Sequence, residues 1–155
     1  MSYVPARIVL DSNAVDPLVD DPESYEVLAS AVSQGRVELL YTHISIDELA
    51  EVPDLERRRH LLLTLISLGR LVPTGAFVVG YSRLNPARLA EDLEAFEAFR
   101  SGDLQHTADA LIASTGVAED ADIVTADKRL AGRVRSRGLK SLTMPELVAL
   151  LAAKT

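Results

Sequence analysis

The stretch Arg7-Ile8-Val9-Leu10-Asp11 decides how the chain is read. Its apolar run shows no alternation, so it reads as a strand buried on both faces, the pattern of a parallel sheet. It stops abruptly at an acid. The same pattern returns at Val37-Glu38-Leu39-Leu40-Tyr41 and at Ile123-Val124-Thr125, and a last strand is expected over 139–142. A further short strand is expected at 76–79. Helical segments fall between these runs. Asp21-Pro22-Glu23 supplies an N-cap, a first-turn proline and a first-turn acid, and Gly35 ends the helix they open. Ser45 is read as opening a short helix closed by Pro53, and another runs from about Leu55 to Gly69. Asn85-Pro86 opens an amphipathic helix with Leu89, Leu93 and Phe96 inward. Helices over 107–115, 128–137 and 144–153 complete the order. Strands alternating with helices give an α/β fold, a mostly parallel central sheet flanked by helices, as one domain over residues 1–155.

Composition agrees. The 155 residues are 48% hydrophobic and 25% charged, which fits neither a disordered nor a fibrous chain. About two-thirds of the unfolded surface of such a domain is buried on folding, so it needs no covalent staple. With no cysteine, a disulfide framework, a thiolate zinc site and a cysteine nucleophile are all excluded, and a reducing cytoplasm is the expected location. The most apolar stretch, 61–79, is interrupted by Arg70, Pro73 and Gly75, so no membrane span is expected. Met1-Ser2-Tyr3-Val4-Pro5 lacks the basic and apolar pattern of a signal peptide.

In parallel α/β sheets, ligands bind beyond the carboxyl ends of the strands. Asp11 and Asp127 both fall there, although each, taken singly, also reads as an ordinary helix cap. Asp109 sits in Thr107-Ala108-Asp109-Ala110-Leu111-Ile112-Ala113. A charge against such a core-facing stripe is costly unless it is paired, eased by a helix dipole or bound to metal. Glu48 has a structural alternative, because Ser45-Ile46-Asp47-Glu48 matches a capping box. Its neighbour Asp47 is expected to face solvent. Together, four acids on separate elements suit a hard divalent cation, since Mg²⁺ takes oxygen ligands and keeps several waters. Without a cation they would raise one another's pKa values. His43, His60 and His106 show no zinc-motif spacing and read as surface or edge histidines.

At these residues the sequence resembles PIN-domain proteins, above all the compact VapC-type ribonuclease toxins. The matching blocks are Arg7-Ile8-Val9-Leu10-Asp11-Ser12-Asn13, Ile44-Ser45-Ile46-Asp47-Glu48-Leu49, Thr107-Ala108-Asp109-Ala110-Leu111-Ile112-Ala113 and Asp122-Ile123-Val124-Thr125-Ala126-Asp127. Their order and spacing extend the resemblance over essentially the whole chain. It implies a three-layer PIN-like fold in which Asp11, Glu48, Asp109 and Asp127 are catalytic acids. Asp11, Asp109 and Asp127 would hold Mg²⁺ or Mn²⁺, with Asn13 and Thr125 as small polar supports. It further implies metal-dependent cleavage of RNA, a cognate antitoxin and a homodimer. A mean hydropathy of +0.13 also points to a dimer, through the helix containing 61–68 or the one containing Leu89 and Phe96. One departure from the family is the acidic segment Asp16, Asp20, Asp21, Glu23 and Glu26 beside the first block, which would oppose RNA at the entrance.

The net charge of −7 is opposite in sign to that of a typical nucleic-acid binder. Bound Mg²⁺ would offset part of it. Lys128, Arg129, Arg133, Arg135, Arg137 and Lys140 form a run without acids. Arg129, Arg133 and Arg137, spaced by four, are expected on one helix face beside Asp127 as contacts to RNA phosphates. The alternatives are a solvated face or an antitoxin surface. Arg57-Arg58-Arg59 is a smaller cluster of the same kind. Two further readings compete with the enzyme. A catalytically weak PIN-fold module would bind RNA or protein without turnover. A phospho-acceptor receiver domain needs paired acids near the first strand, a central acceptor Asp and a late Lys, an order absent here. Asp11-Ser12-Asn13-Ala14-Val15 also fails a D-x-S-x-S adhesion pattern at Asn13 and Val15.

Overall fold

Ile8, Val9 and Leu10 are each at most 1% exposed, because the strand they form is covered on both faces. The computed structural model describes residues 5–75 and 107–153. Among these, β1 (Arg7–Leu10), β2 (Glu38–Tyr41), β3 (Gly69–Leu71), β4 (Asp122–Val124) and β5 (Ser141–Leu142) make one sheet in the order β3-β2-β1-β4-β5. Every pairing is parallel. The helices are α1 (Asp16–Asp20), α2 (Pro22–Ser33), α3 (His43–Ala50), α4 (Leu55–Leu68), α5 (Thr107–Glu119), α6 (Lys128–Ser136) and α7 (Met144–Ala152), with a short 3₁₀ turn at Ser12–Ala14.

Two buried clusters lie on opposite faces of the sheet. Ile8, Leu10, Leu39, Tyr41 and Val124 pack with apolar residues of α1, α2, α4 and α7. Val9, Leu40 and Ile123 pack with Ala110–Ala113 of α5 and with Leu130 and Val134 of α6. Alternate strand residues therefore feed alternate layers, and the architecture is helices, sheet, helices. Gly116 lets α5 lie close to β4, since a Cβ there would come within 2.6 Å of the Ile123 side chain. Gly35 ends α2 with φ +68°, a conformation suited to glycine.

Three expectations are changed. The α3 helix begins at His43, with Thr42 as N-cap, so Ser45 lies inside the first turn and cannot open a capping box. The apolar half of α4 runs directly into β3 at Gly69–Leu71, a strand hidden in sequence because two of its three residues are exposed. His43 is buried, with Nδ1 3.3 Å from Asp47 Oδ2, so it is not a surface residue. His60 is exposed. The expected strand at 76–79, the helix opened by Asn85-Pro86 with Leu89, Leu93 and Phe96, and His106 lie outside the described residues.

Candidate active site

The chain runs from β1 outward to β2 and β3, then returns to place β4 on the other side of β1. The gap between the carboxyl ends of β1 and β4 is the topological switch point, where open α/β sheets form their ligand crevice. Asp11 stands at this gap and is 4% exposed. Its Oδ1 accepts from the Ser12 N–H at 2.8 Å and its Oδ2 from the Thr125 hydroxyl at 2.7 Å. Asp127 N–H donates to that same hydroxyl at 3.0 Å. Asn13 joins the two loops a second time, its Oδ1 accepting from the Ala126 N–H at 2.8 Å. Thr125 has one hydroxyl proton, already given to Asp11, so its 3.3 Å approach to Asn13 is secondary. Asp127 caps α6 through bonds from Arg129 N–H at 2.8 Å and Leu130 N–H at 3.4 Å. Asn13 and Thr125 thus stitch the ends of β1 and β4 together.

Asp109 lies in the first turn of α5, the helix across the same face. Glu48, on α3, turns its carboxylate onto the Ser12 hydroxyl. The Ser45 hydroxyl, which the capping box would have used, donates instead to the Leu10 carbonyl at 3.1 Å. That bond ties α3 to the end of β1 and aims Glu48 at the crevice. The sequence motifs give Ser12 no part, yet its hydroxyl meets Glu48. Its place directly after Asp11 was the available signal.

Two of the acids, Asp11 and Glu48, have their pKa values raised by their surroundings. Burial raises the Asp11 pKa against the opposing bonds from Thr125 and Ser12, and the charges of Asp109 and Asp127 raise it further. Glu48 is exposed as a residue, yet its carboxyl pKa is also raised, first by partial desolvation, opposed by Ser12, then by Asp11, Asp109 and Glu51. No three carboxylate or imidazole groups among the described residues are arranged to enclose a metal ion. The oxygen-only donor set and the cost of charging Asp11 suit a hard cation that keeps much of its own water, rather than a closed cage.

No family model and no curated protein matches the sequence; solved structures do. PAE2754 from Pyrobaculum aerophilum matches with a TM-score of 0.62 at 15% identity, over 95% of this chain and 96% of that one. VapBC2 from Rickettsia felis, solved bound to a DNA fragment from its promoter, matches with a TM-score of 0.60 at 16% identity, over 88% of this chain and 98% of that one. A PilT N-terminus domain protein from Sulfolobus solfataricus matches with a TM-score of 0.54 at 14% identity, over 94% and 92%. The fold is that of a PIN domain.

Within this PIN fold the basic residues divide. Arg129 is exposed beside Asp127, Arg133 is half-buried on α6, and Arg137 closes the helix as its C-cap rather than extending its face. Arg57 pairs with Asp16 at 2.6 Å and with Asp20. Arg58 donates to the carbonyls of Ala50 and Val52, and Arg59 pairs with Glu56. The Arg57 cluster is therefore spent on the protein itself. In the acidic segment, Asp16 and Asp20 are paired to Arg57, and Asp21 caps α2. No helix among the described residues is long and apolar enough to cross a membrane.

Proposed function

We propose that this chain is a Mg²⁺- or Mn²⁺-dependent endoribonuclease, the toxin of a toxin–antitoxin pair. The observation that carries the reading is Asp11. It is a buried carboxylate at the switch point, charged at a cost that Asp109 and Asp127 increase. Fold alone does not fix function, but a costly cluster of like charges in a crevice is a recognised mark of a functional site. The fold shared with VapBC2 from Rickettsia felis supports the toxin–antitoxin part of the reading.

In this reading Asp11, Asp109 and Asp127 hold the cation, directly or through its waters. A bound divalent ion supplies an activated water and stabilises the phosphoryl and leaving oxygens. Thr125 and the Ser12 amide fix Asp11, while Asn13 keeps the β1 and β4 loops in register. Glu48 either binds the cation or orients the attacking water from the opposite wall. Arg129 and Arg133 meet RNA phosphates on the β4 side, with Arg137 at the helix end. The acidic segment over 16–26 is less forbidding than its composition, since Arg57 pairs with Asp16 and Asp20.

Cleavage of RNA by the wild type in Mn²⁺, its loss with chelator, and its loss in Asp109→Asn are the expected results. Metal-independent cleavage, or an active Asp109→Asn, removes the mechanism. The second reading, a PIN-fold module that binds RNA or protein with little turnover, is favoured by the absence of an enclosed three-ligand site among the described residues. RNA binding without metal-dependent cleavage would establish it.

A cognate antitoxin and a second copy of the chain are the proposed partners. The proposed dimer surface is the outer side of α4, where Leu55, Leu63 and Ile66 are each more than half exposed. Light scattering at micromolar concentration should give twice the monomer mass, and a monomer would remove the dimer.

A further inference from the structure

Thr42 occupies the N-cap position of α3 but makes no side-chain cap bond. A threonine there ordinarily turns its hydroxyl onto an amide of the first turn. This one is fully buried, and its Oγ1 has no hydrogen-bond partner among the described residues. Buried polar groups are nearly always satisfied, so an orphan marks a place where a partner belongs, an ion or a water included.

The register of the sheet says where the orphan lies. Val9 pairs with Leu40, so two residues further along both chains Asp11 comes level with Thr42, on strands about 4.8 Å apart. Both residues are extended, with φ and ψ of −74° and 153° at Asp11 and −113° and 170° at Thr42. Val9, Leu40 and Ile123 point to the α5 layer, so alternation sends Asp11, Thr42 and Thr125 to that layer as well. The bond between Thr125 and Asp11 confirms this for two of them. The carboxyl edge therefore carries a polar row, Thr42, Asp11 and Thr125, on the face that α5 covers with Asp109. Asp11 and Thr125 are locked together. Thr42 alone in that row lacks a partner.

We infer that the Thr42 hydroxyl belongs to the cation site, where it holds a water of the metal's hydration shell beside Asp11. This rests on the metal-dependent reading proposed above. Thr42 is then a positioning residue, acting through the water and not on substrate. A hydroxyl is suited to the task, since it can donate to one neighbour and accept from another. A cation that keeps several waters needs such partners. The same argument explains why the side chain does not cap α3: a capped hydroxyl would be turned away from the row.

Thr42→Val keeps the shape and removes the hydroxyl. Mn²⁺ affinity, measured by calorimetry, should fall by about tenfold or more, the usual effect of losing an outer partner of a metal site. The metal-free melting temperature should stay the same or rise, because a methyl replaces an unsatisfied hydroxyl. Thr42→Ser should bind Mn²⁺ nearly as wild type does. Equal Mn²⁺ affinity in wild type and Thr42→Val overturns the assignment and leaves the metal-dependent reading standing. A metal-free melting temperature several degrees lower in Thr42→Val also overturns it, making Thr42 a structural cap. A wild type that binds no Mn²⁺ removes both this inference and the reading beneath it.

Discussion

At the amino ends of the strands, Arg7 bridges Glu38 at 3.0 Å and Glu119 at 2.8 Å, and Arg70 reaches Glu38 at 2.6 Å. At the carboxyl ends of the same sheet, burial raises the pKa of Asp11 and of Glu48, and neighbouring acids, Asp109 among them, raise both further. The first edge alternates its charges. Hydrogen bonds from Arg70 and Arg7 outweigh desolvation and lower the Glu38 pKa. Burial works against the Arg7 cation, but Glu38 and Glu119 hold its pKa above the usual value. The second edge is charged at a cost to folding. One sheet thus separates the end that its charges stabilise from the end where burial and like charge oppose ionisation, and the latter coincides with the switch point.

The largest effect expected within this comparison is at Glu48. Glu48→Gln retains an acceptor for the Ser12 hydroxyl and removes one charge from the crowded edge. Cleavage should slow by ~10²-fold or more, the scale of a positioned general base. The metal-free melting temperature should be unchanged or higher. A Glu48→Gln protein that cleaves RNA like wild type would return Glu48 to a structural role and break the contrast between the edges. With the capping box gone, that role would be the Ser12 contact alone.

Much of this was legible in sequence because it depends on local rules. Unbroken apolar runs at 8–10 and 39–41 gave the buried strands, and Asp21-Pro22 with Gly35 gave the limits of α2. What sequence concealed depended on distant partners. Gly69–Leu71 pairs with β2 as an edge strand, and nothing in its own composition asks for burial. Ser45-x-x-Glu48 satisfied the capping-box pattern, yet the box forms at Thr143 and Glu146 instead. Ser45 was claimed by the Leu10 carbonyl and Glu48 by Ser12, choices made across the crevice and invisible along the helix. Thr42 is hidden in the sequence for the same reason, since only strand register brings it level with Asp11. Arg57 looked like a candidate for solvent or RNA until folding placed Asp16 and Asp20 against it.

The smallest effect sharpens the comparison most, because it sets two glutamates in opposite directions. Glu38 has a lowered pKa, so its stabilisation is present above the ordinary glutamate value of about 4.3 and is lost as pH falls through its lower folded-state value. Its ion pairs are partly exposed and are worth about 0–1 kcal/mol. Glu38→Gln should therefore lower the melting temperature slightly at neutral pH, with the difference fading in acid. Glu48 has a raised pKa, so the folded metal-free protein loses stability as pH rises from about 4.3 through the higher folded-state value. Glu48→Gln should gain on wild type over that interval and match it in acid. Thermal scans of both variants without metal across the acidic to neutral range should thus diverge from wild type with opposite sign as pH rises. Parallel displacements would mean that the carboxyl edge carries no excess of negative charge, and the case for a cation there would lose its electrostatic ground.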